Sequence, residues 1–309
     1  MAVVTTGFFD GVHLGHRHVL KTLVSAARER GEEAIVVSFW PHPRAVLQQD
    51  AREFRLLSSL EEKKVLLLEA GVDRVEVLPF TRDFAALTAG EYLELLRERF
   101  GASLVVMGYD NRIGSDRLTA DEISARWSSN PSSLRSSSLP TSLQAVGPLP
   151  FTWLRAATGS NDQRPSISST QIRKALEVGD VVRANEMLGY GYGLYGVVVA
   201  GNRMGRTIGF PTANMQLYEP LKLVPGNGVY AVEVEVTGRR FKGMCNVGLR
   251  PTVGGTVRTI ETHILDFDED IYGLPLRLRF VRRIRDERKF PSLEALRAQL
   301  LQDALDCKN

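Results

Sequence analysis

The ten residues Gly7 to His16, Gly-Phe-Phe-Asp-Gly-Val-His-Leu-Gly-His, constrain this chain more than any other stretch. They join an apolar segment, Ala2 to Thr6, to a run in which Val19, Leu20, Leu23, Val24 and Ala27 recur at helical spacing. That pattern predicts a strand, a glycine-bearing turn and a helix over about His16 to Arg30. The start of a helix offers unpaired N–H groups and positive partial charge, which favour a bound phosphate. Gly7, Gly11 and Gly15 sit in that turn, and at 11 and 15 backbone approaches a ligand with no Cβ in the way. His13 and His16 fall on one side of a first helical turn, where two imidazoles can donate to an anion whose charge grows as pyrophosphate leaves. The bland alternative is two surface histidines in a polar turn. Neither Gly-x4-Gly-Lys-Ser/Thr nor Gly-x-Gly-x-x-Gly occurs in the chain.

Downstream, apolar strands alternate with helices. Ala34 to Phe39 predicts a strand buried on both faces, followed by an irregular loop at Trp40-Pro41-His42-Pro43-Arg44, where two prolines exclude regular structure. Ser59-Leu60-Glu61-Glu62 and Thr88-Ala89-Gly90-Glu91 are capping boxes that open helices ending at Gly71 and Gly101, and strands follow at Arg74 to Leu78 and Leu104 to Met107. Such alternation implies a parallel, doubly wound sheet, with ligands beyond the carboxyl ends of its strands. Residues 123 to 161 break the pattern: they hold no acidic residue, and eight of the fifteen positions from Ser128 to Ser142 are serine. This composition suggests an irregular insertion or a locally altered reading frame, with Trp153 and Leu154 docking locally.

Order returns at Ser168, Ser169 and Thr170, hydroxyl residues opening a helix with Arg173 one turn in; they suit either a polyphosphate clamp or an ordinary cap. A short helix over Val181 to Leu188 precedes a domain boundary at 189 to 192. Beyond it, Val232, Val234 and Val236 alternate with glutamates, and Leu276, Leu278 and Phe280 with arginines, which predicts a closed antiparallel barrel. A final helix capped by Ser292 would lay Leu293, Leu296 and Leu300 against it.

Within the barrel, Gly201 to Asn214 carries Gly201, Gly205, Arg206 and Gly209 and ends Pro211-Thr212-Ala213-Asn214. It suits a phosphate-wrapping loop with the Thr212 hydroxyl and Asn214 amide left over for Mg²⁺, or a long hairpin loop with turn glycines. Glu261 alternates with Ile260 and Thr262 on a strand; it is either a base for an attacking hydroxyl or a solvated strand residue.

Composition narrows the partners. A net charge of +3 does not call for nucleic acid, and Cys245 and Cys307 make neither a disulfide framework nor a zinc site. No apolar run approaches a membrane span, so the expectation is a cytoplasmic protein without nucleic acid or membrane partners, with room for a homo-oligomer.

His13-x-Gly15-His16 after a strand is similar to the signature of nucleotidylyltransferases, and with the Pro-Thr-Ala-Asn barrel the whole chain resembles the prokaryotic bifunctional riboflavin kinase/FAD synthetase family. The resemblance implies an α/β plus β architecture. Residues 1–188 would form a Rossmann-like FMN adenylyltransferase domain, and 189–309 a Greek-key-type riboflavin kinase barrel with a C-terminal helix. It implies riboflavin, FMN and ATP as substrates, ATP being co-substrate with Mg²⁺, and FAD as product. By motif it assigns Gly7, Phe9, Asp10, Gly11, His13, Gly15 and His16 to the adenylyltransferase's ATP, with Ser168, Ser169, Thr170 and Arg173 as a second clamp. Pro41, His42, Pro43 and Asp110 would lie on its flavin side. In the kinase half, Thr212 and Asn214 would hold Mg²⁺ and ATP and Glu261 would be the base. Asn246, Arg285 and Glu287 would face flavin, and Tyr230 of Gly228-Val229-Tyr230 the nucleotide. The chain departs from the family at Phe8, where asparagine is usual, at Asn111 and Ile113, where aromatic residues are usual, and over residues 123 to 161, which do not resemble the family's last sheet strand and helix. Two alternatives stay open: a riboflavin kinase with a degenerate N-terminal domain, and a non-catalytic barrel that binds flavin or RNA.

Overall fold

The computed structural model describes residues 1–47, 54–108, 111–128, 152–155, 167–201, 204–252 and 255–308. They form two compact units, Met1–Phe54 with Leu60–Ser166, and Arg55–Ser59 with Ile167–Asn309.

The first unit runs β1 (Ala2–Thr6), α1 (Leu14–Arg30), β2 (Glu33–Trp40), α2 (Pro43–Leu47), α3 (Leu60–Glu69), β3 (Arg74–Pro79), α4 (Arg82–Ala86), α5 (Ala89–Phe100), β4 (Ala102–Met107), α6 (Ala120–Ser128) and β5 (Thr152–Arg155). The strands make a five-stranded parallel sheet in the order β3-β2-β1-β4-β5. Both faces are covered, which is why the strands read as unbroken apolar runs. Val3, Val36, Leu104 and Val106 pack with Leu20, Leu23 and Ala27 of α1. Val4, Ile35, Val37 and Val105 pack with Leu93, Leu96 and Phe100 of α5. Each leucine so buried stabilises the fold by roughly 1.5–3 kcal/mol relative to exposure. Strand order reverses between β1 and β4, so the crevice beyond their carboxyl ends is the natural ligand position.

Three expectations change here. Helix α1 starts at Leu14 rather than near His16, because His13 is its N-cap and accepts the His16 N–H on Nδ1 at 3.3 Å. The prolines at 41 and 43 do not exclude a helix, since Pro43 opens α2, where its missing N–H costs nothing. Residues 123 to 161 are not wholly an irregular insertion: 123–128 complete α6, and Thr152–Arg155 pairs in parallel with β4, Leu104 opposite Thr152. The rest of that stretch lies outside the described residues.

The second unit runs α7 (Ser169–Glu177), α8 (Val181–Leu188), β6 (Gly193–Val199), α9 (Met204–Thr207), β7 (Ala213–Leu217), β8 (Gly228–Val236), β9 (Arg239–Thr252), β10 (Gly255–Ile264), β11 (Pro275–Arg285) and α10 (Leu293–Lys308). Its strands close into an antiparallel barrel in the order β10-β7-β6-β11-β8-β9. Val232, Val234 and Val236 of β8, and Leu276, Leu278 and Phe280 of β11, point into the core, while Arg277 and Arg279 are exposed, as the alternation requires. Ile172 and Leu176 of α7 and Val181 and Leu188 of α8 belong to this same core, so the compact unit begins ahead of the expected boundary at 189. Helix α10 is seated partly as expected. Leu300 meets Val229 and Met244, but Leu293 is 53% exposed, and Ala304 and Cys307 complete the contact.

Candidate functional site

In the first unit the turn after β1 is held by backbone that few side chains tolerate. Phe9 and Val12 have φ of 52° and 36°, left-handed values that are uncommon outside glycine and strained for a β-branched residue. Strain of this kind persists only where the surroundings impose it, and Phe9 and Val12 are both buried. The turn delivers His13 and His16 as a stacked pair, ring centres 3.6 Å apart and planes 18° from parallel. Among the described residues, His16 Nδ1 is a buried nitrogen with no hydrogen-bond partner. Burial, and then the neighbouring His13 and Lys63, hold the His16 imidazole well below its usual 6.5, so it is neutral at physiological pH. Asp10 is buried in the same turn, and Gly11 next to it takes φ 77°, which suits glycine.

Pro41-His42-Pro43 comes close to this turn: the His42 ring lies 3.9 Å edge-on from Phe8 and 4.1 Å from Phe54. A separate cleft of about 200 Å³ opens beyond β1 and β4, lined by Thr6, Gly7, Phe39, Tyr92, Asn111 and Gly114 among others. Thr6 and Tyr92 share a hydroxyl hydrogen bond at its base, and burial pushes the Tyr92 hydroxyl well above its ordinary value. Asp110 lies outside the described residues. Sequence reasoning missed Tyr92, whose helical spacing with Leu93 and Leu96 reads simply as core. It also missed Lys63, which is 1% exposed and donates to the Phe8 carbonyl at 3.1 Å.

In the second unit, antiparallel register assembles residues that are far apart in sequence. Asn214 on β7 stands opposite Glu261 on β10, Glu261 opposite Asn246 on β9, Asn246 opposite Val229 on β8, and Val229 opposite Arg285 on β11. Their neighbours Ala213, Ile260, Cys245 and Val247 point into the core, so this row lies on the outer face of the barrel. The Glu261 carboxylate is ion-paired with Arg250 at 2.6 Å, a partner the sequence did not reveal. Asn246 Nδ2 donates to Glu287 Oε1 at 3.3 Å. Arg285 makes three contacts of 2.7–3.0 Å to the fully buried Asp303 of α10.

Asn214 also borders a cleft of about 370 Å³, together with Gly201, Pro211, Thr212, Thr262 and the Phe267 to Tyr272 loop. A Cβ on Gly201 would stand 2.1 Å from Asn214 Nδ2, so glycine is what lets the amide rest there. His263, neutralised further by burial, meets the Pro211 carbonyl through Nδ1 at 2.8 Å and steadies the Pro-Thr-Ala-Asn segment. Gly205 accepts the Phe210 N–H at 2.8 Å around the short helix α9, and Gly209 takes φ 83°. The Arg206 side chain lies outside the described residues. Tyr230 is not part of the row: it is buried in the barrel core with its hydroxyl on the Gly226 carbonyl. Ser168, Ser169, Thr170 and Arg173 also belong to the second unit. Ser168 and Gln171 cap α7 reciprocally, and Arg173 Nε donates to the Arg55 carbonyl at 2.8 Å.

A doubly wound sheet with a phosphate-ready helix start at its switch point, and a barrel carrying a carboxylate between two amides, are the parts of an ATP-using transferase with two separate centres. Family models agree: residues 1–133 match FAD synthetase and residues 188–309 match riboflavin kinase. The bifunctional riboflavin kinase/FMN adenylyltransferase of Bacillus subtilis (strain 168) is 34% identical over 98% of this chain and 90% of its own length. That of Escherichia coli (strain K12) is 36% identical over 99% of this chain and 91% of its own. A solved structure described as a macrolide-efflux protein from Streptococcus pneumoniae superposes with a TM-score of 0.85 at 32% identity, covering 100% of this chain and 94% of that one. Among the described residues of this chain, no helix is long and apolar enough to cross a membrane.

The chain belongs to the bifunctional riboflavin kinase/FMN adenylyltransferase family. It phosphorylates riboflavin to FMN and adenylylates FMN to FAD, with ATP as co-substrate in both reactions.

Proposed function

We propose that phosphoryl transfer takes place on the outer face of the barrel, along the row Asn214, Glu261, Asn246. The carboxylate of Glu261 accepts the proton of the attacking riboflavin hydroxyl as its oxygen bonds to the γ-phosphorus of ATP and the bond to ADP breaks. Arg250 orients that carboxylate from the side. Thr212, Asn214 and the glycines at 201, 205 and 209 take the nucleotide, and Asn246, Glu287 and Arg285 the flavin. The observation that carries this reading is the register that puts Asn214 and Asn246 on either side of Glu261.

Mg²⁺ accompanies ATP in this reading. The Thr212 hydroxyl and Asn214 amide oxygen at the cleft wall are hard, neutral oxygen donors of the kind that would suit Mg²⁺. When bound, the ion neutralises phosphate charge; the chain's own contribution is to position those two oxygens.

For adenylyl transfer, a phosphate oxygen of FMN attacks the α-phosphorus of ATP and pyrophosphate departs. His13 and His16 donate to the leaving oxygens, and the unmatched His16 nitrogen and the helix start behind it support that role. Gly7, Phe9, Asp10, Gly11 and Gly15 shape the phosphate side, and Pro41, His42 and Pro43 the flavin side. Riboflavin, FMN and ATP are then sufficient partners for a cytoplasmic protein that uses neither nucleic acid nor membrane, and a homo-oligomer is compatible with both sites.

Incubation with riboflavin, ATP and Mg²⁺, followed by separation of the flavins, tests the reading. FMN together with FAD supports it; FMN alone removes the adenylyl-transfer half, unchanged riboflavin overturns the kinase half, and absence of FAD when FMN is supplied overturns the other.

A further inference from the structure

Lys63 stands on the first turn of α3, in Ser59-Leu60-Glu61-Glu62-Lys63-Lys64, a sequence that reads as a solvated helix start. Its neighbour Lys64 behaves that way and pairs with Glu61 at 3.0 Å. Lys63 does not. Its side chain is 1% exposed, with Nζ 3.1 Å from the Phe8 carbonyl, 3.8 Å from the centre of the Phe8 ring and 5.9 Å from that of Trp40. The groups facing it are Asp10 of the turn, whose charge favours the ammonium, His16 of α1, whose protonation the ammonium opposes, and the uncharged Trp40 ring ending β2.

Burying an ammonium is costly, and an apolar side chain of the same length would fill this space at less expense. What an apolar side chain cannot supply is positive charge under the one turn that must hold a triphosphate. Phe8 itself has no polar group to offer, so its carbonyl is anchored from below by Lys63 while its ring shields the ammonium from water.

We infer that Lys63 is a positioning residue for adenylyl transfer: tied to the Phe8 carbonyl and roofed by the Phe8 ring, its ammonium fixes the Gly7–Gly11 backbone and gives the turn the positive charge that receives the phosphates of ATP. This rests on the reading of the His13–His16 turn as the adenylyl-transfer centre. The lysine acts through the turn rather than by touching nucleotide, because it is enclosed.

The test is steady-state FAD formation from FMN and ATP by the full chain and its Lys63→Met variant. The KM for ATP is expected to rise about tenfold or more, the size of one lost charge-assisted contact. The KM for FMN should stay within about twofold, the riboflavin kinase rate should be unchanged, and Lys63→Arg should recover part of the ATP affinity. A merely structural lysine would lower kcat by depleting folded protein and leave the KM for ATP where it was, and that result overturns the inference. Should Lys63→Met not fold, the unaltered protein decides: burial pushes Lys63 down to about 8, so kcat/KM for ATP in FAD formation should fall as pH rises through that region. A flat profile there also overturns the inference. If the unaltered protein makes no FAD from supplied FMN, it is the adenylyl-transfer reading that fails instead.

Discussion

Asn214 and Glu261 face each other across β7 and β10, side chains on the outer face of the barrel, although 47 positions separate them in the chain (261 − 214). Directly opposed residues on antiparallel strands hold their Cβ atoms about 4.5–5.5 Å apart, close enough for one to orient a nucleotide phosphate while the other takes a proton from the acceptor. Glu261→Gln keeps the shape and removes the basic oxygen. FMN formation should fall by about 10²–10⁴-fold, the range for loss of a general base. FAD formation from supplied FMN should be unchanged, as both rates measured on one preparation will show. Loss of both would mean the two reactions do not use separate sites.

Gly201 offers a second way to disturb the same residue without touching its chemistry. The Cβ of Gly201→Ala would overlap the Asn214 amide at 2.1 Å, and the amide is the movable partner. Displacing it should raise the KM for ATP in the kinase reaction by roughly tenfold, the equivalent of one misplaced hydrogen bond. The KM for riboflavin should hold. Equal effects on both substrates would mean that Asn214 does not belong to the nucleotide side.

Much of this arrangement is legible before folding, and the exceptions have physical causes. The Gly7–His16 turn, the Thr88 capping box and the alternation along β8 and β11 are local patterns, and each appears where the sequence predicts it, except that the helix after the turn starts two residues early, at Leu14. Strand β5 is hidden because four residues beside a serine-rich stretch carry no period; pairing with β4 defines it. The seat of α10 is hidden because a buried aspartate contradicts the apolar stripe, and its reason, Arg285, lies on another strand. Lys63 and Arg250 look like solvated charges until tertiary contacts enclose one and pair the other. Propensity reports what a segment prefers alone, and functional residues are often held against that preference.

His16 should give the first unit a distinctive acid sensitivity. Its folded-state value is depressed below 6.5, by burial first and then by His13 and Lys63. As pH falls below that point the unfolded chain binds a proton that the native site refuses. Stability is therefore lost, at up to about 1.4 kcal/mol per pH unit, and regained as pH rises. Trp40, Trp127 and Trp153 all fall in the first unit, so tryptophan fluorescence in denaturant titrations reports it. His16→Asn should flatten the stability profile below pH 6.5, cut FAD formation by about 10²–10³-fold and spare FMN formation. An unchanged slope would mean that the imidazole is protonated in the native protein.

Lys63 carries the opposite kind of information, a cost present at neutral pH. Its folded value near 8 against 10.5 unfolded means the native state disfavours the proton by on the order of 3 kcal/mol. Both states hold the proton below about 8, where the penalty is complete, and it fades as pH rises towards 10.5. The carbonyl bond and ring contact are already part of that balance. Lys63→Met should therefore be more stable than the unaltered protein at pH 7, by up to about 3 kcal/mol in the same fluorescence titration. A clear loss of stability would mark the lysine as scaffold.

Arg285 and Asp303 bind the last helix to the barrel face that carries Glu261. Asp303 is 0% exposed, and its oxygens take Arg285 Nε and a terminal guanidinium nitrogen, with Gln299 Nε2 at 2.7 Å. Removing one member leaves the other charged and poorly hydrated, at about 3–5 kcal/mol, whereas removing both exchanges a costly desolvation for ordinary apolar packing. Asp303→Ala should thus destabilise the second unit far more than Arg285→Met with Asp303→Leu, and a double-mutant cycle by thermal unfolding should return a coupling of about 1–3 kcal/mol. Because Arg285 stands at the end of the Asn214–Glu261–Asn246 row, Asp303→Ala should also free its guanidinium and raise the KM for riboflavin while leaving the KM for ATP in place. If the cycle showed no coupling, α10 would be held by Leu300, Ala304 and Cys307 alone, and Arg285 would be free to serve the flavin without a structural tether.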